Sequence, residues 1–206
     1  MSHRRAVIFA AILALGVALD QGTKAWARTL PVSAANTAVQ PSASRGDRSG
    51  APSPRLGAPV SPAGCDVPGD LIARRCHGVP QPVIDGYWDW ELAFNTGAAF
   101  SSFRGGQLAL GALAGAALIA LGAMAWRARP EQRLRRIALA VIAGGALGNL
   151  IDRVRDGAVT DFVRWRAGEA RWPIFNVADA ALLIGVGLML VESIAEWRAE
   201  RRRAAA

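Results

Sequence analysis

Long uncharged apolar runs separate clusters of arginine along this chain, and the runs have the length of membrane crossings. A bilayer core about 30 Å thick takes about 20 residues of helix. Four stretches meet or approach that length. Residues 6–26 begin with an unbroken apolar run over 6–19; residues 108–126 carry no charge; residues 134–151 are uncharged from Ile137; residues 177–197 are uncharged from Ala180 to Val191. Gly and Ala recur in all four, and small residues let membrane helices approach closely. The pattern predicts a membrane all-α four-helix bundle. The first run has a second reading. Arg4 and Arg5 before it and Ala25-Trp26-Ala27 after it have the layout of a cleavable export signal. Asp20 and Lys24, which fall between the run and that cleavage site, argue for a retained span.

The polar segments differ from one another. Residues 31–82 hold nine of the eleven prolines, with much Ser, Ala and Gly and no hydrophobic period, and are expected to form a flexible outer insertion. Cys65 and Cys76 lie within it; a disulfide closing a small loop and two free thiols both remain open. His77 beside Cys76 does not make a metal-ligand spacing, and no metal site is expected. Order is expected to resume near Val83. Tyr87-Trp88-Asp89-Trp90-Glu91-Leu92-Ala93-Phe94 is strand-like. Residues 159–166 and 171–175 flank Ala167-Gly168-Glu169-Ala170 as a hairpin. Segments 83–104 and 158–175 are therefore assigned to a small β-cradle on the outer face of a single polytopic domain, 1–206.

Charge sharpens this picture. Among 206 residues, 52% are apolar and 19% charged, and Lys plus Arg outnumber Asp plus Glu by 24 to 16, a net +8. The basic residues do not interleave with aromatics on a polar face, so a nucleic-acid partner is not expected. Instead Arg4 and Arg5 precede the first span, Arg127, Arg129, Arg133, Arg135 and Arg136 separate the second from the third, and Arg198, Arg201, Arg202 and Arg203 follow the fourth. The positive-inside rule makes that side, with both termini, cytoplasmic. Arg153, Arg155, Arg164, Arg166 and Arg171, read as lying in the loop after the third span, fall on the opposite side, where lipid phosphates would meet them. Trp26, Trp126 and Trp197 end spans, and Trp88, Trp90, Trp165 and Trp172 lie in outer segments. That placement suits an interfacial aromatic belt, with ordinary packing as the alternative.

This topology collects the polar residues of the spans at one depth. Asp20 and Lys24 end the first span; Asn95 precedes the second; Asn149, Asp152 and Arg153 end the third; Asn176 and Asp179 begin the fourth; Asp161 lies between the last two. Ionisable groups in spans usually face a bundle interior or a wet cavity. Each also has a structural reading. Asp20 and Lys24 are spaced for a helical ion pair. Arg153 is placed to snorkel. Asn176 and Asp179 make a near capping box. No metal-ligand cluster or elbow serine is present, whereas two carboxylates from different elements, Asp161 and Asp179, can share a proton and split their pKa values. One would take a proton from water while the other polarises a carbonyl, without a cofactor.

At these residues the chain resembles type II signal peptidase, the bacterial lipoprotein signal peptidase. The matching segments are Asp20-Gln21-Gly22-Thr23-Lys24, Phe94-Asn95-Thr96-Gly97-Ala98-Ala99-Phe100-Ser101, Gly144-Gly145-Ala146-Leu147-Gly148-Asn149-Leu150-Ile151-Asp152-Arg153, Val159-Thr160-Asp161-Phe162 and Phe175-Asn176-Val177-Ala178-Asp179, in the family order. The resemblance implies a cofactor-free aspartic endopeptidase of the bacterial inner membrane, multi-pass and expected to be monomeric, with its active site near the periplasmic face. It implies diacylglyceryl-modified prolipoproteins as substrates, cleavage just before the lipidated cysteine, and sensitivity to globomycin. The catalytic pair falls on Asp161 and Asp179. Asp20, Lys24, Asn95, Gly97, Asn149, Asp152, Arg153, Asn176 and Ala178 match substrate-binding or site-supporting positions. The long insertion at 31–82 departs from the family's usual short link. Three other functions remain: a proton-coupled transporter, a non-catalytic assembly factor, and a serine–lysine peptidase using Lys24 with Ser101 or Ser102.

Overall fold

A computed structural model of the chain describes residues 2–33, 77–95 and 106–205. Among these, four long helices carry the fold: α1 (His3–Ala27), α2 (Gly106–Arg127), α3 (Arg133–Asp156) and α4 (Val177–Ala204). The strands are β1 (Val32–Ser33), β2 (His77–Gly78), β3 (Gln81–Ile84), β4 (Trp88–Asn95), β5 (Val159–Ala167) and β6 (Ala170–Arg171). Helices α1, α3 and α4 are long and apolar enough to cross a membrane, and α2 contributes the shorter apolar stretch Gly111–Arg127.

Helix α3 is central and packs against the other three. Its small residues explain why. A Cβ added to Gly145 would stand 2.5 Å from the carbonyl oxygen of Ala178, so α3 and α4 meet backbone to backbone. Ala138, Ala140, Ala143 and Gly144 are buried along the same helix. The outer helices bury little: Leu15 and Leu19 on α1 and Leu183, Leu190 and Val191 on α4 are exposed. Apolar side chains left outward on long helices suit a lipid surround rather than water.

The sheet sits at one end of the helices. Strands β3, β4, β5 and β6 lie in that order, all antiparallel, and β4 pairs with β5 through Trp90↔Val163 and Ala93↔Asp161. A separate two-stranded pair joins Val32 to Gly78. Buried Ala27, Leu92, Phe162 and Val163 form a core between the end of α1 and the sheet, with Trp88, Trp90 and Phe175 packed on it. Trp26 meets Trp90 edge-on at 5.1 Å and Phe162 at 5.9 Å. Trp26 therefore helps fasten the sheet while remaining partly exposed.

Two expectations need correction. Arg153 and Arg155 do not lie in a loop: α3 runs on to Asp156, and both sit in its last turn. The helix stops there because Gly157 adopts φ 71° and its N–H bonds back to the Arg153 carbonyl, an end that favours glycine. Regular structure is also present ahead of Val83: Val32 and Ser33 pair with Gly78 and His77, and β3 begins at Gln81. Cys65, Cys76 and Gly97 lie outside the described residues.

Candidate active site

Asn176 organises the site. It precedes α4 in an extended conformation (φ −129°, ψ −179°) that ends the chain's run from β6 and starts the helix. Its side-chain oxygen accepts the Asp179 backbone N–H at 3.0 Å, and its own N–H donates to Asp179 Oδ2 at 3.3 Å, a reciprocal capping box. With the oxygen so engaged, the amide nitrogen points away from the helix. It donates to Asp161 Oδ1 at 2.6 Å, to the Thr160 carbonyl at 3.2 Å and to Asn149 Oδ1 at 3.1 Å. One buried residue thus binds a carboxylate on β5 with its side chain and a carboxylate on α4 with its backbone.

Asn149, on α3, completes the link. Its amide nitrogen donates to Asp179 Oδ1 at 2.8 Å, and its oxygen accepts from Lys24 Nζ at 2.9 Å. Asp161 belongs to a stretch of β5, Val159 to Val163, in which every residue is buried. Burial pushes the Asp161 carboxyl up to about 7, and the charge of nearby Asp179 pushes in the same direction; hydrogen bonds from Asn176 and Asn95 and the charge of Lys24 oppose this. Asn95 lies at the end of β4, in register with Val159.

A buried charge network holds these elements together. Lys24 Nζ contacts Asp20 Oδ2 at 2.8 Å and Asp152 Oδ2 at 3.2 Å, so with Asn149 its three protons meet three acceptors. Asp20 Oδ1 in turn accepts the Ala178 N–H at 3.0 Å, and Asp152 Oδ2 accepts the Thr160 N–H at 2.9 Å. Helix α1 is thereby tied to α3, to β5 beside Asp161, and to α4 beside Asp179. Ala178 takes part through its backbone alone. Gly148 is required by proximity: a Cβ there would fall 2.3 Å from Asp20 Oδ2.

Asp161, Asp179, Asn95, Asn149, Asn176, Asp20, Lys24, Asp152 and Ala178 are thus joined through shared contacts. Arg153 touches that network only at the Asn149 backbone: its guanidinium donates to the Asn149 carbonyl at 3.2 Å and reaches no carboxylate among the described residues. Three participants were not among the candidate site residues. Gln21 bridges Asp152 Oδ1 at 3.0 Å and the Gly148 carbonyl at 3.2 Å. Arg28 holds Asp156 at 2.5 Å and Thr160 Oγ1 at 2.8 Å. Arg28 follows Asp20 and Lys24 at the next four-residue step, so helical spacing was a usable signal for it; Gln21 and Thr160 stood inside the matching segments beside Asp20 and Asp161, which was the signal for them.

The apolar helices define a membrane protein. Fold and sequence comparisons narrow that class. A solved structure of a bacterial membrane enzyme superposes with a TM-score of 0.60 over 90% of this chain and 91% of its own, at 24% identity, a likeness of fold. A lipoprotein signal peptidase of Xanthomonas campestris pv. campestris (strain 8004) is 43% identical over 116 residues, 54% of this chain and 70% of the relative. One from Xylella fastidiosa (strain M12) is 44% identical over 118 residues, 54% of this chain and 71% of the relative. The model of the signal peptidase (SPase) II family matches residues 70–195. The chain belongs to the signal peptidase II family, a family of proteases.

Proposed function

We propose that the protein removes signal peptides from diacylglyceryl-modified prolipoproteins, cutting immediately before the lipidated cysteine, and that Asp161 and Asp179 are its catalytic pair. The observation that carries this reading is the shared tether: Asn176 binds one carboxylate with its side chain and the other with its backbone. Two acids fixed in one network by uncharged amides can divide acid and base roles without a metal.

In the proposed reaction Asp179, which accepts N–H groups from Asn149 and Asn176, takes a proton from water as that water attacks the scissile carbonyl carbon. Asp161, whose environment favours its protonated form up to about pH 7, donates its proton to the carbonyl oxygen. The tetrahedral species collapses as Asp179 passes its proton to the leaving amine of the lipidated cysteine and Asp161 recovers its own. A carboxylate and a carboxylic acid are restored.

The wider reading follows from where the pair lies. The four helices form a transmembrane bundle in the bacterial inner membrane, with both termini cytoplasmic and the sheet end periplasmic. Exposed Trp165 and Trp172 at that end suit the headgroup layer. The chain acts as one polytopic unit, as a monomer, with the insertion outside and globomycin as an inhibitor. A substrate anchored by its acyl chains reaches the aspartates already oriented, which reduces the entropy lost on docking. Incubating the purified protein with a diacylglyceryl-modified prolipoprotein tests the reading: release of the signal peptide supports it, and an intact substrate refutes it.

A further inference from the structure

The end of the helices remote from the aspartates holds a cavity. It measures about 420 Å³ and opens between the beginnings of α1 and α3. Arg4, Arg5, Arg133 and Arg136 line it together with Ile8, Phe9, Ile12 and Ile137, each apolar residue lying further along its helix than the arginines of that helix. The lining is therefore cationic at the helix starts and apolar further along.

The four charges are uncompensated. Among the described residues none of these arginines forms an ion pair with a carboxylate. Their neighbour Arg135 behaves differently: it pairs with Glu192 at 3.0 Å and Glu196 at 2.8 Å. Arg136 is buried, and its guanidinium is held by the Arg129 and Pro130 carbonyls at 2.6 and 3.1 Å. Four guanidinium groups around one cavity repel each other until an anion enters. The apolar part of the lining selects the kind of anion. Ile8 and Ile12 are one helical turn apart on α1, a helix apolar enough to cross a membrane, so the lining continues from the arginines toward the hydrocarbon region. Basic pockets between transmembrane helices fit anionic lipid headgroups.

We infer that this cavity binds an anionic phospholipid, with its phosphate among Arg4, Arg5, Arg133 and Arg136 and an acyl chain along Ile8, Phe9 and Ile12. The inference rests on the helices crossing the bilayer and is independent of the peptidase chemistry. The lipid would brace α1 against α3 at the end opposite the buried Lys24 network.

Native mass spectrometry of the full chain in detergent tests it, with phosphatidylglycerol and phosphatidylcholine offered at equal concentration. The wild type is expected to retain phosphatidylglycerol preferentially. An Arg4→Gln, Arg5→Gln, Arg133→Gln variant, which leaves the Arg136 brace in place, loses that retention by about fivefold for each arginine removed. An Arg201→Gln, Arg202→Gln, Arg203→Gln variant, with the same charge loss on α4, retains it. Asp161→Asn also retains it, whatever its activity, which separates this site from the catalytic reading. Equal retention of phosphatidylcholine, or equal loss in both triple variants, overturns the site. Displacement of the lipid by inorganic phosphate alone overturns the lipid assignment. Thermal unfolding of the first triple variant without added lipid should match wild type; earlier unfolding there would assign the arginines to folding instead and overturn the inference.

Discussion

Asn176 donates its side-chain amide to Asp161 Oδ1 at 2.6 Å, and the residue that makes this bond also caps the helix bearing Asp179. Helix start and proposed chemistry are therefore coupled through one side chain. Asn176→Ala removes the cap and the bond together. The cap accounts for about 1 kcal/mol of stability, while cleavage should fall by about 10²-fold or more from lost positioning. Asn176→Ser, which caps α4 but is too short to reproduce the amide bond, should restore most of the stability and little of the activity. Thermal unfolding and turnover measured on both variants check this.

The Asp161 carboxyl titrates near pH 7 for two reasons, burial first and the Asp179 charge second. Its folded value lies above its unfolded one. The stability contributed by its proton is therefore fully present below the ordinary carboxylate range and is lost as the pH rises through about 7. The acid role follows the same curve, so cleavage should decline as the pH rises past about 7. In Asp179→Asn the repulsive charge is gone, and the Asp161 midpoint should move down. Carbon-13 titration of labelled aspartate reports it; an unmoved midpoint would separate the two groups.

Lys24, Asp20 and Asp152 are all buried from bulk solvent, so a partner left alone would be poorly solvated. Lys24→Met should destabilise the fold by about 3–5 kcal/mol, because it strands buried carboxylates rather than merely deleting an attraction. Gly148→Ala should also destabilise, by about 1–3 kcal/mol, since its methyl group enters the space of the Asp20 carboxylate. Unfolding in detergent measures both, and wild-type stability in either would show that the network does not lock the helices.

Much of this arrangement was legible in the sequence, and the reason differs from element to element. The helices announced themselves because a span needs a long apolar run, which composition alone reveals. Asn176 and Asp179 stood at capping-box spacing, a local signal. Asp20 and Lys24 stood one turn apart, another local signal. What the chain could not display was the junction at Asn149, whose oxygen serves Lys24 and Asn176 while its nitrogen serves Asp179. That depends on three elements meeting, and no spacing within one of them encodes it. The end of α3 was misplaced for a related reason: Asp152, Arg153 and Arg155 interrupt hydropathy, yet Asp152 is buried by partners from α1 and β5 and the helix continues through it.

Residues 32 and 78 are paired neighbours, so the segment between them leaves and returns at one place. Deleting residues 42–62 shortens that excursion without separating its ends. The variant should insert and unfold like the full chain, as judged by circular dichroism on heating. Cooperative loss of helix at a lower temperature would assign the segment a part in the fold.

The proposed pairing of Asp161 with Asp179 is tested most directly by single-turnover cleavage of a diacylglyceryl-modified prolipoprotein by wild type, Asp161→Asn and Asp179→Asn in parallel. Each substitution replaces a carboxyl by an amide of similar size. Both variants should remain folded while the rate falls by at least about 10³-fold, the scale of losing an essential acid or base. Wild-type turnover by either folded variant would contradict the pair.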